Sequence, residues 1–343
     1  MNHVQSRFTN PGGYRGLLAA SVVIGVGFLV AGGIYLGLID EYIAQVLTLG
    51  GINVIVALGL NLISGYAGQL ALGQAGFMAV GAYTTAFLVM QVQVPLLPAI
   101  LTGGMLTAGF GILIGYPTLQ LRGDYLAIVT LSFGEIIRVI MVNLEHYTGG
   151  AAGLKGIPSF TAVILHRPTV SFLWVYCLMT VVILGLANLI RSAPGRAILA
   201  VREDEVAAGA MGINVFYHKM LAFTLSAFIA GLAGGLYAPF FRYLNPTMFN
   251  FLKSVDFLII VVFGGMGSIT GTVIAGFVLT YLQEFLRILS DYRLVIYPIL
   301  LILMMLYKPS GLLGEREFSL EQGLIWLRRF KTQVVRGQEG DRR

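Results

Sequence analysis

The sequence predicts an all-α polytopic membrane protein with about ten transmembrane helices (8–10), and three observations carry that reading. Hydrophobic residues make up 57% of the chain and charged residues 11%, against about 25% charged in an average soluble domain. That is too little charge to clothe a water-soluble surface. From Tyr42 to Leu121 there is no Asp, Glu, Lys, Arg or His, a length that passes a bilayer about three or four times at roughly 20 residues per crossing. These runs are continuously apolar and rich in glycine, without the period-two alternation over about ten residues of a barrel strand, so the spans are helices.

Setting the apolar runs against their breaks gives ten candidate spans, near residues 17–39, 42–63, 70–90, 96–116, 122–143, 170–190, 219–240, 252–264, 269–288 and 293–308. The run 252–264 is short, and Gly264 to Ser268 reads either as a break inside the membrane or as a turn outside it. The first run is too long for the apolar core of a signal peptide and lacks an A-x-A-like cleavage site, so it stays as the first span. Orientation follows from lysine and arginine, which are enriched in cytoplasmic loops. With both termini cytoplasmic, fifteen of them fall in the termini and even-numbered loops, against six on the other side: Lys155, Arg167, Arg242, Lys253, Arg287 and Arg293. The chain then divides into a transmembrane domain, 1–308, whose cytoplasmic loop 191–218 is its most charged interruption, and a basic cytoplasmic C-terminal tail, 309–343. Because a basic segment beside a bilayer is drawn to anionic headgroups, the net charge of +6 needs no nucleic acid to explain it. Trp326 and Phe330 beside Arg328, Arg329 and Lys331 fit an interfacial segment, and a solvated tail fits equally.

Several function classes are excluded. The single Cys177 rules out an internal disulfide, and His3, His146, His166 and His218 have no metal-ligand spacing. No metal site and no cofactor are assigned to this chain. No Gly-Lys pair occurs, so the phosphate-binding loop G-x-x-x-x-G-K-[ST] is missing and the chain is not itself a nucleotide hydrolase. An intramembrane hydrolase needs a nucleophile held beside a base, and the spans hold no histidine. An ion-coupled carrier keeps carboxylates near the midplane; Glu135 is the one candidate, already beside Arg138.

Three blocks carry chemistry. The first is Arg191 to Lys219, R-S-A-P-G-R-A-I-L-A-V-R-E-D-E-V-A-A-G-A-M-G-I-N-V-F-Y-H-K. Pro194 and Gly195 break the chain, Arg196 to Gly209 carries no breaker and alternates apolar with charged residues, and Gly212 stops or bends the next turn. Such a helix lies at the membrane surface and exposes Arg196, Arg202, Glu203, Asp204 and Glu205 to a soluble partner, while Gly212 permits close backbone approach. A polar loop held inside by its arginines is the plainer alternative. The second block is Asn61 to Leu88, where Gly65, Gly68, Gly73, Gly76 and Gly81 recur every three to five residues and let neighbouring backbones approach. Gln69 and Gln74 are costly to bury without partners. A helix broken beside a pathway explains both, because discontinuous helices expose backbone polar groups to substrate or water; plain packing of small residues explains the glycines alone. Gly264, Gly265, Gly267 and Ser268, followed by Gly271 and Gly276, form a similar break. The third block runs from Leu121 to Arg138. Glu135 and Arg138 are three apart and can pair on one helical face, which lowers the cost of an intramembrane charge. After it, Thr148 to Pro158 is a glycine-rich loop on the outer side, either facing a partner or serving as a flexible connector.

The first block, with G-R-A-I, E-D-E-V-A-A and G-I-N-V, resembles the cytoplasmic coupling loop of ABC importer permeases in the branched-chain amino-acid group, and the other blocks follow in that family's order over residues 17–313. The resemblance implies an ABC importer permease fold in the bacterial cytoplasmic (inner) membrane, paired with a second related permease subunit to form the pore. It further implies two cytoplasmic ATPase subunits that bind ATP and Mg, and a substrate-binding protein outside. It assigns ATPase coupling to Gly195, Arg196, Arg202, Glu203, Asp204, Glu205, Ala207, Ala208, Gly212 and Ile213, and a place at the pathway or its helix breaks to Gly65, Gly68, Gln69, Gly73, Gln74, Gly76, Gly264, Gly265, Gly267 and Ser268. Val206 and Gly209 depart from the Glu and Ala run of the family, and Gly209 costs about 1 kcal/mol of helix stability relative to alanine. Branched-chain or other hydrophobic amino acids are the expected substrates, with urea, short amides or aromatic acids left open.

Overall fold

The computed structural model describes residues 25, 27, 29–120, 124–160 and 168–287, together with 302, 306, 311 and 314. Helices dominate them: α1 (Glu41–Asn61), α2 (Gln74–Met90), α3 (Leu96–Thr118), α4 (Asp124–Asn143), α5 (Pro168–Arg191), α6 (Ala193–Glu203), α7 (Glu205–Ala210), α8 (Val215–Phe241), α9 (Phe251–Gly264) and α10 (Ile269–Phe285). Five of these, among the described residues, are long and apolar enough to cross a membrane: α1 with the π-turn that extends it, α3, α4, α5 and α8.

Equal apolarity hides unequal positions. Within their most apolar stretches, 89% of the α1 residues and 72% of the α8 residues are buried, against 33%, 28% and 33% for α3, α4 and α5. The first two form the core, and the others present apolar faces outward. Small residues set the spacing at the centre. A Cβ on Gly81 would strike the backbone of Gly231, and one on Gly103 would come within 2.8 Å of Thr85 Oγ1, so α2, α3 and α8 pack backbone against backbone. On the other side α1 meets α10, where Asn53 Nδ2 donates to Thr280 Oγ1 at 3.1 Å.

One span starts later than the sequence expectation, and another is short, as expected. The span expected from residue 70 starts as a helix only at Gln74, because Gln69 to Gly73 are non-helical. The span 252–264 is α9, 14 residues long. At 1.5 Å per residue it covers about 21 Å, short of the roughly 30 Å hydrocarbon core. Its first amide, Phe251 N, donates to Glu135 Oε1 at 3.1 Å, so α9 starts part-way along α4. Residues 17–24, 26 and 28 of the first expected span, nearly all of 293–308, and the tail with Trp326, Arg328, Arg329, Phe330 and Lys331 lie outside the described residues.

The bundle has two distinct ends. At one, Thr148 to Pro158 is pinned rather than a loose connector: Leu154–Lys155 (β1) pairs antiparallel with Tyr243–Leu244 (β2), and Asn245 Nδ2 donates to Ala151 O at 3.1 Å. Gly149, Gly150, Gly153 and Gly156 all adopt positive φ there, which explains the density of glycine. At the other end the charged loop meets the turn after α1 and the turn between α9 and α10.

Candidate functional site

The charged loop folds as two helices, but not at the expected joint. Pro194 and Gly195 do not break the chain; they form the first turn of α6, with Pro194 in a position where a missing amide costs nothing and Ser192 as the cap. Gly195 is buried, and a Cβ there would collide with Leu189 O, so it makes the tight turn out of α5. The actual break is Asp204. Its extended backbone ends α6, and its carboxylate accepts from Val206 N at 2.8 Å and Ala207 N at 3.0 Å, which caps α7. Gly212 adopts φ +83 with nothing within 4 Å of a Cβ. Its requirement is the left-handed turn after α7, not close approach within this chain.

The loop's charges point in different directions. Glu205 pairs with Lys219 on α8, and Arg196 Nη1 donates to Arg191 O at 2.8 Å. Ala208 is buried, and Ile213 is half-buried. Glu203, Asp204 and Ala207 are exposed, beside Val206 at 80% and Met211 at 83% exposure. This outward face mixes acidic and apolar groups. Arg202, expected on the same face, turns inward instead: its Nη1 donates to Gly65 O at 2.8 Å.

That contact brings all three glycine-bearing segments together. Beyond Asn61, α1 continues as a five-residue π-helix, Leu62–Tyr66, and Gly68 follows at φ +68. Asn61 bridges to the α9–α10 turn: Oδ1 accepts from Gly267 N at 2.8 Å, and Nδ2 donates to Ser268 O and Thr272 Oγ1, both at 3.0 Å. Gly65 lies so close that a Cβ would run into Asn61 Oδ1 and Gly267 N. Gly265 and Gly267 turn the chain at φ +107 and +83, Gly264 packs on the backbone of Gly271, and Ser268 Oγ caps α10 through Gly271 N at 3.1 Å. In sequence Asn61 shows only as an amide in an apolar run, four residues before a required glycine.

The coil before α2 is a second polar knot. Leu72 N donates to Thr130 Oγ1 at 3.0 Å, Gln74 Nε2 to Ser226 Oγ at 2.6 Å and Ala75 N to Ser254 Oγ at 3.1 Å. Gly73 and Gly76 are packing glycines, with Cβ positions 2.6 Å from Thr130 O and 2.7 Å from Gly134 Cα. Gln69 and Gln74 are both buried, and neither Oε1 has a hydrogen-bond partner among the described residues.

Glu135 and Arg138 pair on α4 at 2.6 Å, their side chains 34% and 30% exposed. The pair therefore lies at the edge of the bundle rather than deep inside, and Glu135 spends its other oxygen on the start of α9. Glu135 is not the sole intramembrane carboxylate candidate: Asp256 on α9 stands one turn from Lys253 and hydrogen-bonds Gln283, while Lys253 Nζ reaches Asn53 Oδ1 at 3.4 Å and lies 5.0 Å from the Phe257 ring centre. Their signal was two opposite charges three apart inside a run already counted as a span.

The chain is similar to known transport proteins over most of its length. The family model described as the branched-chain amino acid transport system / permease component matches residues 42–306. The high-affinity branched-chain amino acid transport system permease protein LivM of Escherichia coli K12 is 36% identical over 294 residues, covering 78% of this chain and 69% of that protein. The protein LivH of the same organism is 34% identical over 128 residues, covering 37% of this chain and 41% of that one. A probable LivM of Methanocaldococcus jannaschii is 25% identical over 242 residues, covering 64% of this chain and 69% of its own. No solved structure matches. With the match reaching from the start of α1 past α10 and taking in every element of the Arg202 junction, the chain belongs to the permease-component family of branched-chain amino acid transport systems.

Proposed function

We propose that the chain is one of two related permease subunits that together form the pore of an ATP-driven importer for branched-chain or other hydrophobic amino acids. It sits in the bacterial cytoplasmic membrane with both termini and the 191–218 loop inside. Two ATPase chains bind ATP and Mg beneath it, and a soluble binding protein delivers substrate at the end marked by β1 and β2. The observation that carries this reading is the outward face of α7. Apolar Val206 and Met211 at 80% and 83% exposure, flanked by Glu203 and Asp204, fit a helix seated in a partner's groove. Family membership supports the same reading, and so does the missing phosphate-binding loop, which leaves hydrolysis to another chain.

The test is uptake into vesicles holding the complete set of subunits. Labelled leucine is expected to accumulate with ATP and no ion gradient, and urea, a short amide and an aromatic acid are run as competitors. Uptake that follows only a proton or sodium gradient would sink the proposal.

A further inference from the structure

We infer that Arg202 is the residue through which the charged loop moves the membrane part: a latch on the π-turn after α1, not a contact to the ATPases. The inference rests on the importer reading above and deepens it by naming the transmission element.

The argument begins with the carbonyls at the end of α1. A helix leaves its last carbonyls without intrahelical partners, and they carry partial negative charge. Here Leu62 O accepts from Ala67 N at 3.1 Å and Ile63 O from Gln69 N at 2.9 Å. Gly65 O accepts instead from a different element, the Arg202 guanidinium at 2.8 Å. The wider π spacing of Leu62–Tyr66 is a form seen mostly as single turns at functional positions.

The second step is that Gly65 cannot move alone. A Cβ on Gly65 would collide with Gly267 N, and Asn61 Oδ1 holds that same amide at 2.8 Å. Arg202 Nη1 itself stands 3.1 Å from the place a Cβ would take on Gly267. One cation therefore faces the C-terminal ends of both α1 and α9, and the two breaks behave as one packed unit.

The third step is leverage. Arg202 sits in the last turn of α6, two residues before Asp204, where the chain turns into the outward-facing α7. A push on Val206 or Met211 reaches Gly65 across a single capped joint. Ile198 and Val201 are buried, 2% exposed each, so α6 moves with its inner face engaged rather than sliding freely. Interfaces packed this closely pass from one arrangement to another rather than deforming smoothly.

The experiment uses the complete transporter in sealed vesicles, comparing the unsubstituted complex with Arg202→Gln and Arg202→Lys. For Arg202→Gln, uptake per ATP hydrolysed is expected to fall about tenfold while the ATPase chains still co-purify. Arg202→Lys, which keeps one cationic donor, should recover part of that loss. Unchanged uptake per ATP in Arg202→Gln overturns the inference. So does loss of the ATPase chains from the complex, which would make Arg202 a docking contact. If Arg202→Gln fails to accumulate, hydrogen exchange on the unsubstituted complex decides. Between the nucleotide-free and vanadate-trapped states, protection at 62–68 and 265–268 should change together with that at 193–210; a change confined to 193–210 overturns the latch. Absence of ATP-driven uptake by the unsubstituted complex, in contrast, counts against the importer reading itself.

Discussion

The two short helices of the charged loop come from adjacent sequence and do opposite things. Helix α6 faces inward: Gly195, Ile198 and Val201 are buried, and Arg202 reaches the α1 terminus. Helix α7 faces outward: Ala208 is its only buried residue, and Val206 and Met211 stand almost free. Both segments mix apolar and charged residues, so composition does not separate them. What separates them is the Asp204 cap, which redirects the chain between them. A charged residue in a loop is therefore not by itself a docking residue, and an apolar one is not by itself core.

Substitutions that treat the two helices alike should break this contrast. The largest effect is expected on the inward side. A Cβ on Gly195 would meet Leu189 O and approach Ile190 Cα at 2.6 Å, all of it backbone that cannot give. Gly195→Val should destabilise the chain by about 3 kcal/mol, seen as a lower melting temperature in detergent and reduced membrane levels. Normal melting would mean that α6 is not seated as described.

Gly212→Val should come next. The position has φ +83 and open space around a Cβ, so the cost is backbone strain alone, about 1–2 kcal/mol. Gly212→Asn, which tolerates the left-handed region better, should recover most of it. Equal melting points for the Val and Asn variants would remove strain as the cause.

The smallest effect on stability belongs to the outward face. Val206→Ser with Met211→Ser should leave melting within about 0.5 kcal/mol of the unsubstituted chain, yet ATPase chains should be lost on purification of the complex. Retained ATPase chains with full uptake would reduce α7 to a polar loop whose arginines serve orientation only.

How legible the site was in the sequence depends on the range of the interaction. Gly65, Gly68, Gly264, Gly265, Gly267 and Ser268 were visible as two breaks, because turns and close approaches demand glycine locally. That the two breaks touch was not visible: Asn61 and Gly267 are 206 residues apart. Glu135 and Arg138 were legible as a pair, since i and i+3 share a helical face, but not their position at the bundle edge or the use of Glu135 as an acceptor for α9. Asp256 was not legible as a second carboxylate, nor Lys253 as more than a charge in the orientation count, because a span of apolar residues absorbs two opposite charges without losing its pattern.

The sequence by itself determined the class. A chain 57% hydrophobic with 11% charge satisfies its backbone inside a membrane only as helices, and the order of its glycine breaks and charged loop carried the family. Tertiary structure alone decided which apolar helices are core, where α9 begins, and that Arg202 turns inward while Glu203 turns out. The reason is physical. Hydropathy measures how each residue prefers its surroundings, and lipid and protein interior are nearly equivalent to an apolar side chain, so only the packing of distant backbones distinguishes them.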